Sequence, residues 1–359
     1  MSTPQPSHMA TAEEQKVKDS IDNYEQTILA MVGFMNFYSH DATNKAVHAF
    51  QARRLTSVPL PPPESKEDED QAPGPVPFQE LSVTPDIGIL QSNNHGVLAE
   101  VKITLPRDQT HWQDFVDQLI KYDQPLKGWP VDGELVENHD IVLLVHRTRS
   151  RAVKDFLAKA NEKGFSRPFS IVEVNKQDQA KEYLYFRKED GVLSDPAIDQ
   201  ALYEGKAVPL QIILKLYSSI KISDDKPEVP YLMNLIWTHV VTERVSRDPK
   251  FPNLTKRSSL RVEVALADIQ KELFEGYSFA PYHRAIPRRQ SNYPLPEWIL
   301  EACQRFVDYD EAVWSGTSRE AITFIFRKYD DVLAHWIDQF LGGQNPSQHS
   351  LFDGEEAQA

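Results

Sequence analysis

Apolar positions recur at helical spacing from the start of the chain: Ile21, Tyr24, Ile28, Met31 and Met35 form one stripe. Thr11 and Glu14 stand ahead of it with capping-box spacing, so a helix is expected from about residue 12. A second, shorter helix is expected over residues 44–54. Its apolar positions are Ala46, Val47, Phe50 and Ala52. The pattern then changes. Residues 81–90 and 96–105 read as strands flanking Gln91-Ser-Asn-Asn-His95, a hairpin signal. Residues 111–124 return to helical spacing with Trp112, Phe115, Val116, Leu119 and Ile120 on one side, and residues 150–163 repeat it with Val153, Phe156, Leu157 and Ala160. Between them Ile141 to Val145 is continuously apolar, as in a strand buried on both faces. Further strands are expected at 169–174, 183–187 and 209–217. Strands alternating with helices indicate an α/β class, with a mixed central sheet flanked by helices.

The spacing turns mainly helical again after Pro230. Helices are expected over 231–245, 262–274 and 296–307, then a hairpin of 312–314 with 321–326, then a helix over 330–340. Three helices followed by a hairpin suggest a winged-helix-like unit. The aromatics Trp298, Phe306, Trp314, Phe324, Phe326 and Trp336 read as its core. The organisation is therefore an N-terminal helical extension (1–56), an acidic Pro-rich connection (57–77), an α/β core (78–228), the helical domain (229–340) and an acidic tail (341–359).

Composition narrows the chemistry. The 359 residues include one cysteine and carry a formal net charge of −14. Half of that excess lies in residues 57–77 and 341–359. The remainder is still acidic, which weighs against tight nonspecific nucleic-acid binding without excluding a local basic face. Lone Cys303 can form no disulfide within the chain and reads as helix packing. No apolar run reaches the ~20 residues that span a bilayer, and the polar start lacks a secretory signal. The expected setting is intracellular, cytoplasmic or nuclear, with no membrane partner. Phosphate-cradling glycine motifs are absent, so nucleotide hydrolysis is not expected.

One constellation stands out. The first strand of the hairpin carries Asp86, and the second carries Glu100-Val101-Lys102. Side chains alternate along a strand, so Glu100 and Lys102 share a face and Val101 takes the other. Two carboxylates and an ammonium among apolar strands are costly to bury without a purpose. Asp86, Glu100 and the Val101 carbonyl would supply hard oxygen ligands for Mg²⁺ or Mn²⁺. Lys102 would orient the attacking water and stabilise developing charge in phosphodiester hydrolysis. An ordinary surface hairpin with a cross-strand ion pair would use the same residue types. A basic stretch of His146, Arg147, Arg149, Arg151 and Lys154 follows the buried strand and suits contact with phosphates, and a second, His283-Arg284-Ala-Ile-Pro-Arg288-Arg289, lies in the C-terminal unit.

Pro85-Asp86 with Glu100-Val101-Lys102 resembles the motif of the PD-(D/E)XK nuclease superfamily. Gln118 and Tyr122, four apart on the next helix, are similar to the additional Gln-x-x-x-Tyr motif of its RecB-like branch. The resemblance covers about residues 78–220. It implies a restriction-endonuclease-like fold and divalent-metal-dependent cleavage, with DNA favoured as substrate. It also implies that Gln118 and Tyr122 border the active site and touch substrate, and it marks Glu25 as the acid of the preceding helix. The alternative class is a noncatalytic interaction or DNA-binding protein on such a scaffold. Its C-terminal domain would contact a protein partner or a second copy of the chain.

Overall fold

The computed structural model describes residues 11–40, 46–51, 54–57, 81–105, 109, 112–129, 136, 138–178, 182–211, 213, 222–223, 225–253, 259–275 and 294–344. The proline-rich stretch beyond Ser57, the basic run His283–Arg289 and the acidic tail lie outside them. Among the described residues, 26–213 form one compact unit, and residues 11–25, 222–275 and 294–344 form another.

Helix α1 (Ala12–His40) opens as the capping pattern requires: the Glu14 N–H donates to Thr11 Oγ1 at 3.2 Å. The first unit is then built on a seven-stranded mixed sheet. Its strands are β1 (Ala46–Gln51), β4 (Ile87–Gln91), β5 (Gly96–Lys102), β7 (His139–His146), β8 (Phe169–Asp178), β9 (Glu182–Gly191) and β10 (Lys206–Pro209), in that spatial order. The pairs β5–β7 and β7–β8 are parallel and the rest antiparallel. Parallel neighbours need crossovers. These are supplied by α2 (Trp112–Tyr122) and α3 (Ser150–Ala160). Both helices lay their apolar stripes on one face of the sheet: Trp112, Phe115, Val116, Leu119, Val153 and Leu157 share a core with Leu98, Leu143, Val145 and Ile171. Residues from the second half of α1 pack against β9, where Phe34 lies 5.9 Å from Phe186. A small sheet of β3 (Ser82–Val83), β2 (Leu55–Ser57) and β6 (Leu126–Lys127) lies beside the main one in sequence.

Two expectations for this unit are corrected, and one helix is added to them. Residues 46–51 form an edge strand, not a helix, because β1 pairs with β4. There Phe50 fills the space left by Gly88. A Cβ on Gly88 would lie 2.0 Å from the Phe50 ring, and that ring also meets Trp129 edge-on. Tertiary packing overrides a short helical pattern in such a case. The strand expected at 209–217 is shifted: β10 ends at Pro209, and Leu210 and Gln211 are helical. Helix α4 (Pro196–Glu204) went unread, although Asp195 caps it by accepting from the Ala197 and Ile198 N–H groups, with Pro196 at its first turn and Gly205 after it.

In the second unit, α5 (Val229–Leu235), a π-helical turn (Ile236–Val241) and α6 (Thr242–Ser246) run on continuously. The helix expected over 262–274 divides into strand β11 (Leu260–Ala265) and helix α7 (Leu266–Glu275). The alternating run Leu260-Arg-Val-Glu-Val pairs with residues 322–326 rather than coiling. Then come α8 (Pro296–Asp308), β12 (Ala312–Trp314), β13 (Ala321–Phe326) and α9 (Val332–Gln344), with the sheet ordered β11-β13-β12. Trp237 centres the core, with Phe306, Phe326 and Trp336 each within 6 Å of its ring. Trp298, Phe306, Phe324, Phe326 and Trp336 are core, as expected, whereas Trp314 is half-buried with Arg319 5.6 Å from its ring. No described helix is long and apolar enough to cross a membrane.

Candidate functional site

The site forms where β4 parts from β5. Their pairing ends at Ile87 opposite Ala99. Pro85, which has no N–H to offer a ladder, takes the chain away from the sheet just before Asp86. The Val101 N–H on that side then has no strand to meet, and it donates to Asp86 Oδ2 at 2.6 Å. A strand residue sends its N–H and C=O to the same side. The Val101 carbonyl therefore leaves β5 toward the same opening as Asp86.

Glu100 sits at the centre and is 1% exposed. Lys102 Nζ lies 2.7 Å from its Oε1. On the other oxygen, the Tyr122 hydroxyl donates to Oε2 at 2.7 Å and Gln118 Nε2 donates at 3.1 Å. Gln118 Nε2 also lies 2.8 Å from the Tyr122 hydroxyl oxygen. Two residues four apart on α2 thus converge on one carboxylate oxygen, as an i, i+4 pair on one helical face can. The end of α2 is pinned to β7 by His139, whose Nε2 meets the Tyr122 carbonyl at 2.7 Å.

The electrostatics are those of a charged group held in a poor solvent. Burial, then the neighbouring Asp86, raises the Glu100 carboxyl to about 7, against the opposing pull of Lys102 and Tyr122. Tyr122 is held well above the usual phenol range by burial and by Glu100, so it stays a neutral donor. His139 is pushed down to about 3, mainly by burial, and is neutral.

Asp86, Glu100, Lys102, Gln118 and Tyr122, all named from the sequence, therefore meet in one place. Gln118 and Tyr122 face inward to Glu100. Arg147 and Arg151 are exposed and Arg149 is half-buried in the turn after β7 and the first turn of α3. Among the described residues no carboxylate pairs with any of the three. Glu25 belongs to the other compact unit. Its own carboxyl is raised by burial and by Asp22. Cys303 is fully buried, and burial pushes its thiol up to about 12, which suits packing and not nucleophilic attack.

One cluster went unread. Glu173 lies inside the apolar run Ile171-Val-Glu-Val174 and is 6% exposed. Ser150 Oγ donates to its Oε1 at 2.5 Å, and Arg187 Nη2 donates to its Oε2 at 3.0 Å. An acid interrupting a buried strand was the available signal.

Among the described residues, no three His, Cys, Asp or Glu side chains group as a metal cage. The donor set here is the Asp86 and Glu100 carboxylates and a main-chain carbonyl, all hard oxygens, with the proton affinity of Glu100 raised by burial and then by Asp86. That set fits a divalent cation with remaining positions filled by water and substrate oxygens. No family model, curated protein or solved structure matches this chain.

Proposed function

We propose that this protein is a divalent-metal-dependent nuclease that hydrolyses phosphodiester bonds, with DNA the favoured substrate, on a restriction-endonuclease-like core. The observation that carries the reading is the fully buried Glu100 carboxylate. It is shared between Lys102 on one oxygen and Tyr122 with Gln118 on the other, with Asp86 raising its proton affinity. A surface ion pair would need neither the burial nor the helix-borne donors.

In this reading Asp86, Glu100 and the Val101 carbonyl hold Mg²⁺ or Mn²⁺. The cation, when bound, supplies positive charge to the scissile phosphate and lowers the pKa of the attacking water. The chain's own groups do the rest. Val101 N–H fixes one oxygen of Asp86. Tyr122 and Gln118 fix one oxygen of Glu100, so the carboxylate needs no reorientation during the reaction. Lys102, 27% exposed at its side chain, reaches from Glu100 toward the opening. There it orients the water and stabilises charge developing on the phosphate. Arg147, Arg149 and Arg151 contact the substrate backbone.

The second unit supports a second role. Its helix, strand, helix, helix, hairpin order with sheet order β11-β13-β12 fits a winged-helix-like domain. The third helix, α8, exposes Glu297 and Asp308, which suits a protein partner or a second copy of the chain better than duplex phosphates. This favours a supplementary interaction role, and a purely noncatalytic scaffold is the competing reading.

The reading is tested with supercoiled, linear and single-stranded DNA and with RNA, each incubated in Mg²⁺, Mn²⁺ or EDTA. Cleavage in either metal and none in EDTA is expected. Intact substrates under all conditions would favour the scaffold.

A further inference from the structure

The strand register places Lys102 beside Val145, Val145 beside Glu173, and Glu173 beside Arg187, one row across β5, β7, β8 and β9. Register partners share a face of a sheet. The row therefore lies on the α2/α3 side, with Lys102 at one end and Arg187 at the other. Three strand spacings separate the ends, about 14 Å between backbones. The chain after β7 leaves this edge through Arg147 and Arg149, and the Arg147 N–H is held by the Val174 carbonyl at 3.0 Å.

We propose that Arg187 is a further phosphate-binding residue of this site, presented by Glu173 and Ser150 to a phosphodiester backbone laid across the carboxyl edge of the parallel strands. The inference rests on the nuclease reading and extends it to the substrate's flanking phosphates. Glu173 is buried, and both of its oxygens are engaged, one by Ser150 and one by Arg187. Its charge is spent on fixing a guanidinium whose side chain remains 42% exposed. Arginine carries five donors in a rigid fork. One edge anchored to a carboxylate leaves others directed elsewhere, the arrangement a phosphate takes up. Lys102, Arg147, Arg149 and Arg187 then give cations along one edge of an otherwise acidic protein. A backbone several nucleotides long fits this track, irrespective of base sequence.

The test uses the full chain in EDTA, where no cleavage occurs, and measures fluorescence anisotropy of labelled single-stranded and duplex DNA over a salt series. Arg187→Ala is expected to weaken binding about 5–10-fold and to reduce the salt slope by roughly 0.7–0.9, the loss of one phosphate contact. Arg187→Lys, which keeps the charge, is expected to retain the slope. Wild-type affinity and slope in Arg187→Ala would overturn the inference. So would equal losses in the Ala and Lys variants accompanied by equal drops in melting temperature, since those mark a structural role. If wild type cleaves DNA and Arg187→Ala binds like it, only this inference fails. If wild type neither binds nor cleaves, the nuclease reading fails with it.

Discussion

The Tyr122 hydroxyl and the Glu100 carboxylate lie 2.7 Å apart, the phenol donating into a group that is almost wholly withdrawn from water. The contact joins the helix after the hairpin to the hairpin itself and fixes one oxygen of the proposed cation ligand. Tyr122→Phe keeps the ring and removes the donor. It is expected to lower cleavage roughly 10- to 100-fold, the range seen for lost outer partners of metal ligands. It also removes one group that pulls the Glu100 carboxyl down, so the pH at which activity rises should move upward. A pH–rate profile of both proteins checks this, and an unchanged profile would count against the contact.

Glu100 should weaken the fold that holds it. Its carboxyl is raised to about 7 from an ordinary 4.5, so the folded state binds the proton more tightly than the unfolded one. The stability this gives is fully present below pH 4.5 and is lost as pH rises through 7. At pH 8 without metal, Glu100→Gln is expected to be more stable than wild type by about 1–3 kcal/mol. Cleavage should be lost at the same time. Urea unfolding of both proteins at pH 4 and pH 8 reads the first effect, and a difference between wild type and Glu100→Gln that is the same at both values would contradict it.

His139 gives the opposite dependence. Its imidazole is held near 3 by burial, against 6.5 when exposed. Between those values the unfolded chain binds the extra proton, so stability falls as pH drops below about 6.5. His139→Gln lacks this term. The difference in stability between wild type and His139→Gln should shift by roughly 3 kcal/mol in the variant's favour from pH 7 to pH 4. Urea midpoints at the two pH values measure it, and a difference independent of pH would show that His139 protonates freely.

The edge strand β1 can be tested through Gly88. A methyl group there would collide with the Phe50 ring. Gly88→Ala is expected to lose about 1–3 kcal/mol, as overpacked cores do. Phe50→Leu should relieve part of that loss in the double variant. Additive losses would mean that the two residues are not in contact.

The candidate site was legible because it is short-range. A two-residue alternation puts Glu100 and Lys102 on one face, and a four-residue helical step puts Gln118 and Tyr122 together, whatever the rest of the chain does. The apolar runs around Leu98 and Leu143 marked the strands that carry them. What escaped depends on distant partners. Residues 46–51 become a strand only because β4 lies alongside and Gly88 leaves room for Phe50. Leu260–Ala265 pairs with Phe326–Ala321, some sixty residues away, so its spacing alone misled. Glu173 could be seen as an acid in an apolar strand, but Ser150 and Arg187 as its partners could not. Helix α4 was within reach, since Asp195, Pro196 and Gly205 bracket it in sequence.

The most direct test of the central claim is metal-dependent cleavage by Lys102→Ala beside wild type, on whichever substrate wild type cuts. Lys102 is partly exposed and pairs with buried Glu100, so thermal melting of both proteins is measured first and cleavage is compared at a temperature where both are folded. The account predicts cleavage in Mg²⁺ or Mn²⁺ by wild type and a loss of at least ~100-fold in the folded variant. Cleavage undiminished in folded Lys102→Ala would place the chemistry elsewhere and contradict the account.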